Sequence, residues 1–227
     1  MEKQNWKLSP SDFAFLWQEC KRCFYLKVVR GFPRPSSPMP AIFRKIDLIM
    51  RRFFANKPTA QVSSALPPGV IDTGERRLVS NPISVPGRSS TCFIQGSPDA
   101  VVSFEDRSYG VLDFKTSEAK GEHVSLYSRQ LHAYAYALEN AAPGRLSLSP
   151  VSKLGLLCVE PKDMVRSEDG SYSYLAAPVW LECPRGDGAF LGFLAEVMEV
   201  LDRPEPPPAA DNCLWCRYRE AARSLNL

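Results

Sequence analysis

No apolar run in the 227-residue chain approaches the roughly 18 residues that a membrane-crossing helix needs. No membrane partner is therefore expected. Charge of one sign is also lacking: 28 basic residues face 25 acidic ones, for a net charge of +3. A local basic groove is permitted by that balance, but no strong field calls for nucleic acid or a membrane surface. The opening MEKQNWKLSP lacks the apolar core of a signal peptide, and the chain is read as cytoplasmic. Internal repeats are absent, and the one biased segment is the Pro-rich RPEPPPAAD at 203–211, a stiff linker of polyproline type. What is present in excess is cysteine. Seven cysteines in a chain read as cytosolic point to metal or redox chemistry rather than to disulfides.

With 44% hydrophobic residues, the chain can build one sizeable α/β core. In LSPSDFAFLWQECKRCFYLKVV, Ser9 is the expected N-cap of one amphipathic helix, with Pro10 first and Asp12 third; Ser11 is the second choice. GFPRPSSPMP at 31–40 reads as a loop. AIFRKIDLIMRRFF has apolar residues at helical spacing. Residues 56–75 read as irregular, and short strand-like runs follow from about 78. DAVVSFED and YGVLDFKT, separated by a turn, form a hairpin. A helix is expected over 123–140, strands in KLGLLCVEP and YSYLAAPVWLEC, and another helix in GAFLGFLAEVMEVLD. The expected architecture is α/β: a mixed central β-sheet flanked by helices, in a single domain spanning 1–227. It divides into an N-terminal helical part (1–55), a core (76–202) and a linker with terminal cysteines (203–227).

Two features carry chemistry. In YGVLDFKTS, Asp113 and Lys115 stand two apart and share one face of a strand. Asp99 opens the preceding strand, and in an antiparallel hairpin that position neighbours Asp113. Two carboxylates with a nearby backbone oxygen form the hard-ligand set that suits Mg²⁺ or Mn²⁺. A lysine beside such a metal can orient or help deprotonate water. On the next helix Gln130 and Tyr134, four apart, share one face. The second feature is a pair of C-x-x-C motifs, Cys20/Cys23 and Cys213/Cys216, at opposite ends of the chain; together they form a tetrathiolate that suits Zn²⁺ or an iron–sulfur cluster equally well. Cys92, Cys158 and Cys183 each sit singly in an apolar run and read as small core residues.

GSPDAVV, then VLDFKTS, then RQLHAYAYAL, in that order, resembles the PD-(D/E)XK nuclease superfamily, in particular its RecB-like branch, which includes CRISPR-associated exonucleases. The opening helix with its cysteine is similar as well, so the resemblance covers most of the chain. It implies a restriction-endonuclease-like core and metal-dependent hydrolysis of DNA phosphodiester bonds. Asp99, Asp113 and the Phe114 carbonyl would hold Mg²⁺ or Mn²⁺, Lys115 would be the base or water-orienting group, and Gln130 and Tyr134 would support the site. Many RecB-like nucleases add a histidine from an early helix. This chain has only His123 and His132, both downstream of the acid pair. By position Asp47 is the nearest replacement as a metal ligand, and Glu75 is the weaker option. The resemblance also implies a 4Fe–4S cluster joining the chain ends, with Zn²⁺ as the alternative because the cysteines divide two and two here rather than one and three.

For nucleic-acid contact the basic residues are Lys21, Arg22, Lys27, Arg44, Lys45, Arg51, Arg52 and Arg129, with Trp17, Phe24, Tyr25 and Tyr127 as residues able to stack bases. The family implies single-stranded DNA ahead of duplex, in DNA repair or with a protein partner in a DNA-processing or CRISPR adaptation complex. Two other classes stay open: a catalytically weak or inactive nucleic-acid-binding scaffold, and a zinc-clasped interaction domain in which Asp113–Lys115 is a structural ion pair.

Overall fold

The computed structural model describes residues 4–36 and 40–225. Residues 37–39 of the loop expected at 31–40 lie outside the described residues, as do the first three residues of the chain. A short strand, β1 (Asn5–Leu8), precedes three helical pieces, α1 (Pro10–Ala14), α2 (Leu16–Glu19) and α3 (Lys21–Arg30). The single helix expected there is therefore broken twice. Ser9 is the extended N-cap and Pro10 the first residue, as read, although the Ser9 hydroxyl meets Ser11 rather than a backbone N–H. The second break is at Cys20, whose extended backbone (φ −165°) restarts the chain as the N-cap of α3. Helix α4 (Ala41–Phe54) occupies the residues that the spacing predicts.

Next come β2 (Gly69–Asp72), β3 (Leu78–Val79), β4 (Ile83–Ser84), β5 (Thr91–Gly96), β6 (Ala100–Phe104) and β7 (Tyr109–Lys115). The chain continues through α5 (Gly121–Glu139), β8 (Val151–Arg166), β9 (Tyr172–Cys183), α6 (Asp187–Leu201) and α7 (Leu214–Ser224). The strands form two sheets rather than the expected one. The larger runs β2-β6-β7-β8-β9; β7 and β8 are parallel, and the other neighbours are antiparallel. In the smaller sheet β1, β3 and β4 all pair with β5, β1 in parallel.

Strand β7 is buried on both faces, as a central strand crossed over by a helix should be. Its alternation sorts two cores. Val111 faces the larger one, which holds α1–α3, α5, α6 and the small sheet. Leu112 and Phe114 face a second core with Met50 and Phe54 of α4, and the Phe54 and Phe114 rings stand 5.8 Å apart. Asp113 and Lys115 therefore fall on the Val111 side, toward α5, which contacts both sheets. The outer part of the β8–β9 hairpin, residues 161–179, is exposed along its whole length.

Candidate active site and metal clasp

The hairpin register places the acid pair. Ala100 pairs with Leu112, so Asp99 and Asp113 occupy the next position at the open end of β6 and β7. The Phe114 N–H donates to Asp99 Oδ2 at 2.7 Å, which ties the two strand ends together. Asp113 is 4% exposed, a burial that a carboxylate tolerates only with partners. Its Oδ1 accepts from Gln130 Nε2 at 3.0 Å, and its Oδ2 forms an ion pair with the Lys115 ammonium. That ammonium also lies over the ring of Tyr127, 3.9 Å from the centroid, a cation–π contact that fixes its direction. Tyr127, Gln130 and Tyr134 lie on one face of α5, so a single helix supports both Asp113 and Lys115.

Tyr134 takes part through packing. It is 5% exposed, and a Cβ placed on Gly96 would meet its ring at 3.0 Å and Pro10 at 2.8 Å. The glycine that opens the GSPD run is thus needed for close approach rather than for an unusual backbone angle. Tyr134 burial raises its phenol well above the usual value, so it stays neutral.

Helix α4 contributes an element that the sequence reading had assigned elsewhere. The Arg51 guanidinium forms an ion pair with Asp99 Oδ1, donates to the Asp99 carbonyl at 3.0 Å, and donates from Nε to Asp47 at 3.0 Å. Arg51, expected to contact phosphate, is therefore committed to two acids. Asp47, expected as a metal ligand, is bridged to Asp99 through Arg51. Among the described residues no third His, Cys, Asp or Glu closes a ligand cluster on Asp99 and Asp113. Glu75 is exposed and makes no contact with them.

The electrostatics reflect two carboxylates sharing one buried place. Burial and then the charge of Asp113 push the Asp99 carboxyl up to about 7, against the Phe114 N–H, Arg51 and Lys115, which favour its charged form. For Lys115, burial pulls the ammonium down, but Asp113 outweighs it and holds the value above the ordinary one. Lys115 is therefore protonated at neutral pH. In this state it is a hydrogen-bond donor and not a base.

Residues 59–221 match the PD-(D/E)XK nuclease superfamily. The chain belongs to this superfamily. Among solved structures it is similar to one described as the crystal structure of SSO0001, with a TM-score of 0.49 and 16% identity over 88% of this chain and 79% of that one. No curated protein matches the chain. Membership of a PD-(D/E)XK superfamily makes nucleic acid the expected substrate and a divalent metal the expected cofactor. No described helix is long and apolar enough to cross a membrane.

The remaining nucleic-acid assignments divide sharply. Arg44 and Lys45 are exposed on α4. Arg129 points away from the acid pair; its guanidinium lies 4.3 Å from the Phe193 ring centroid and donates to Gln18. Trp17, Phe24 and Tyr25, expected as base-stacking residues, are 3%, 0% and 1% exposed and belong to the core. His132 is structural as well: Gly186 N–H donates to its Nε2, so Nδ1 carries the proton and donates to the Ser128 carbonyl.

Within this PD-(D/E)XK chain, the second constellation joins the ends. Cys20 is the N-cap of α3 and Cys213 the N-cap of α7, so each C-x-x-C spans the first turn of a helix, where the backbone dipole favours thiolates. All four are buried, and their sulfurs lie within 4.8 Å of one another. Arg34 donates to Cys213 Sγ at 3.5 Å and Arg219 to Cys23 Sγ at 3.8 Å. Cys92, Cys158 and Cys183 are buried singly, as read, and burial pushes the Cys92 thiol up to about 12.

Proposed function

We propose that this chain is a divalent-metal-dependent DNA nuclease of the RecB-like branch, acting as an exonuclease on single-stranded DNA. The observation that carries this reading is the buried Asp99–Asp113 pair with the Lys115 ammonium beside it. The residues fit a hard divalent cation: burial first and then the neighbouring Asp113 charge push the Asp99 carboxyl up to about 7, and a cation between the two carboxylates would favour their charged forms. Asp99 and Asp113 would hold Mg²⁺ or Mn²⁺, with the Phe114 carbonyl as the third donor that the family pattern suggests. A metal there would polarise the scissile phosphate and acidify water.

The chain's own groups do the rest. Gln130 fixes Asp113 Oδ1. Lys115, aimed by Tyr127 and Asp113, donates to the water or to the phosphate oxygen that gains charge. Arg51 must share or release Asp99 for a cation to enter, which makes it the counter-charge of the empty pair. Lys7, Lys27 and Arg77 line a cavity of about 540 Å³ beside Gly96 and Ser97; Lys27 is paired there with Asp12, so Lys7 and Arg77 are the cations it offers to a phosphate. Helices α1–α3 and the terminal cysteines pack on the larger core and α4 on the second, and β7, which carries Asp113, faces both, which supports reading 1–227 as one domain.

The test is degradation of end-labelled single-stranded DNA with Mn²⁺, Mg²⁺ or EDTA. Metal-dependent loss of mononucleotides from an end supports the proposal, and internal cuts would replace exonuclease by endonuclease action. The second reading, a nucleic-acid-binding scaffold, is favoured by Arg51 on Asp99 and by the absence, among the described residues, of a third acid that closes a ligand cluster on the pair. Binding without cleavage under every metal would select it.

A further inference from the structure

We infer that the cysteine clasp holds a single tetrahedral zinc ion and not an iron–sulfur cluster. The distances decide between them. Cys20 Sγ lies 3.8 Å from Cys216 Sγ, and Cys23 Sγ lies 3.7 Å from Cys213 Sγ and 3.6 Å from Cys216 Sγ. A zinc–thiolate bond is about 2.3 Å, and the edge of a tetrahedron is about 1.63 times its centre-to-corner distance, so four thiolates on one zinc stand about 3.8 Å apart. These three of the six separations match that edge, and all six are within 4.8 Å.

A 4Fe–4S cluster makes a different demand. Each thiolate bonds its own iron, and inorganic sulfides hold the irons apart. Four sulfurs within 4.8 Å of one another, three pairs of them in van der Waals contact, leave room for one ion at their centre and none for an eight-atom core. Opening the cage would require α3 and α7 to separate, yet Cys20, Cys23, Cys213 and Cys216 are each 5% exposed or less. The cluster that the family pattern suggests does not fit these residues as they stand.

Four thiols hydrogen-bonded to one another would show similar contacts, and the surroundings speak against them. Arg34 and Arg219 each direct a guanidinium at a sulfur, and both C-x-x-C runs begin a helix. Neutral thiols need no such company. A zinc ion with four thiolates carries two negative charges, and both guanidiniums face them, Arg34 while also holding the exposed Glu19 carboxylate. Zinc has no redox chemistry, so the clasp is structural; binding releases the thiol protons and links α3 to α7.

The experiment uses the full chain, expressed with both iron and zinc in the medium and purified without oxygen. Elemental analysis should give one zinc per chain with no acid-labile sulfide. X-ray absorption at the zinc edge should show four sulfurs at about 2.3 Å. Replacement by Co²⁺ should produce the intense visible bands of a tetrahedral tetrathiolate, reduced or shifted in Cys23→Ser. Iron and sulfide near four each per chain, with an iron–iron scattering shell, would overturn the inference. So would four free thiols titrating in a metal-free folded protein. None of these readings depends on cleavage of DNA, so they stand apart from the fate of the nuclease assignment.

Discussion

The acid pair and the cysteine clasp are opposite solutions to holding charge in a protein interior. Asp99 and Asp113 lie 14 residues apart in sequence and are brought together by one hairpin, whose ladder forms without any metal. The clasp joins cysteines up to 196 residues apart, and nothing local brings them together. At the acid pair each carboxylate has a cation beside it, Arg51 or Lys115, yet burial and the neighbouring Asp113 charge still drive Asp99 toward its neutral form. At the clasp two helix starts and two guanidiniums already favour thiolates. A site prepared by secondary structure can lose its ion and keep its shape. A site that closes the chain cannot, because binding free energy there is folding free energy.

The sharpest way to break this contrast is Asp113→Asn. In the proposed mechanism it removes a ligand charge but keeps shape and the Gln130 neighbour, so single-turnover cleavage should fall by more than about 10⁴-fold, the loss of several kcal/mol of charge stabilisation. The circular-dichroism spectrum should not change. Turnover at the parent rate would remove Asp113 from the chemistry. Lys115→Met should cost about 10²–10⁴-fold in the same assay, the scale of a lost proton-handling or donor group. The buried Asp113 carboxylate would then lack its ion-pair partner, and melting at neutral pH should fall in metal-free buffer and recover when Mn²⁺ is added. An unchanged rate would return the Asp113–Lys115 contact to a structural ion pair.

Cys20→Ser should behave in the reverse manner. Loss of about 3–5 kcal/mol of metal-linked stability would lower the melting temperature by about 6–20 °C for a chain of this size. Cleavage per folded molecule, measured well below that temperature, should stay within about twofold. Gly96→Ala is a smaller perturbation that touches the acid site through packing alone. Overpacking against Pro10 and Tyr134 should cost about 1–3 kcal/mol, read as a shift in the denaturation midpoint.

The smallest effect is on pH. A folded-state value of about 7 for Asp99, above its ordinary value of 3.8, means that the folded protein binds this proton more tightly than the unfolded chain. The stability it contributes is full below 3.8 and declines as pH rises toward 7. Metal-free protein should thus lose stability over that window relative to Asp99→Asn, while Mn²⁺ affinity climbs through it. Parallel curves for the two proteins would show that Asp99 titrates normally.

The acid pair was legible in the sequence because its geometry is local: a hairpin turn and a two-residue alternation are enough to pair Asp99 with Asp113. Strand β9 and helix α4 were legible for the same reason. Periodicity did not see the break at Cys20, where the extended cap aims two cysteines at a partner far along the chain. It also missed β2, in which Ile71 is the one buried residue of four, and β1, which finds its parallel partner more than 80 residues later; the strand-like runs from 78 did become β3, β4 and β5, but in a separate sheet. Arg51 gave a faint signal, four residues after Asp47 on one helix. Its attachment to Asp99 depends on how α4 crosses the sheet, which no local pattern encodes.

The clasp also determines how the protein meets mechanical force. With the inferred metal in place, tension applied at α7 would pass through the sulfur–metal–sulfur bridge directly to α3, so the larger sheet would lie outside the load path and the smaller one would be loaded only through β1. The intervening segment from Cys20 to Cys216 is slack hidden behind that bridge. At about 3.4 Å per residue it stores roughly 650 Å of contour length. A motor pulling on this tail would register almost no extension until the bridge fails. The chain would then yield only as fast as its unprotected core gives way, so the ion works as a latch on the whole molecule.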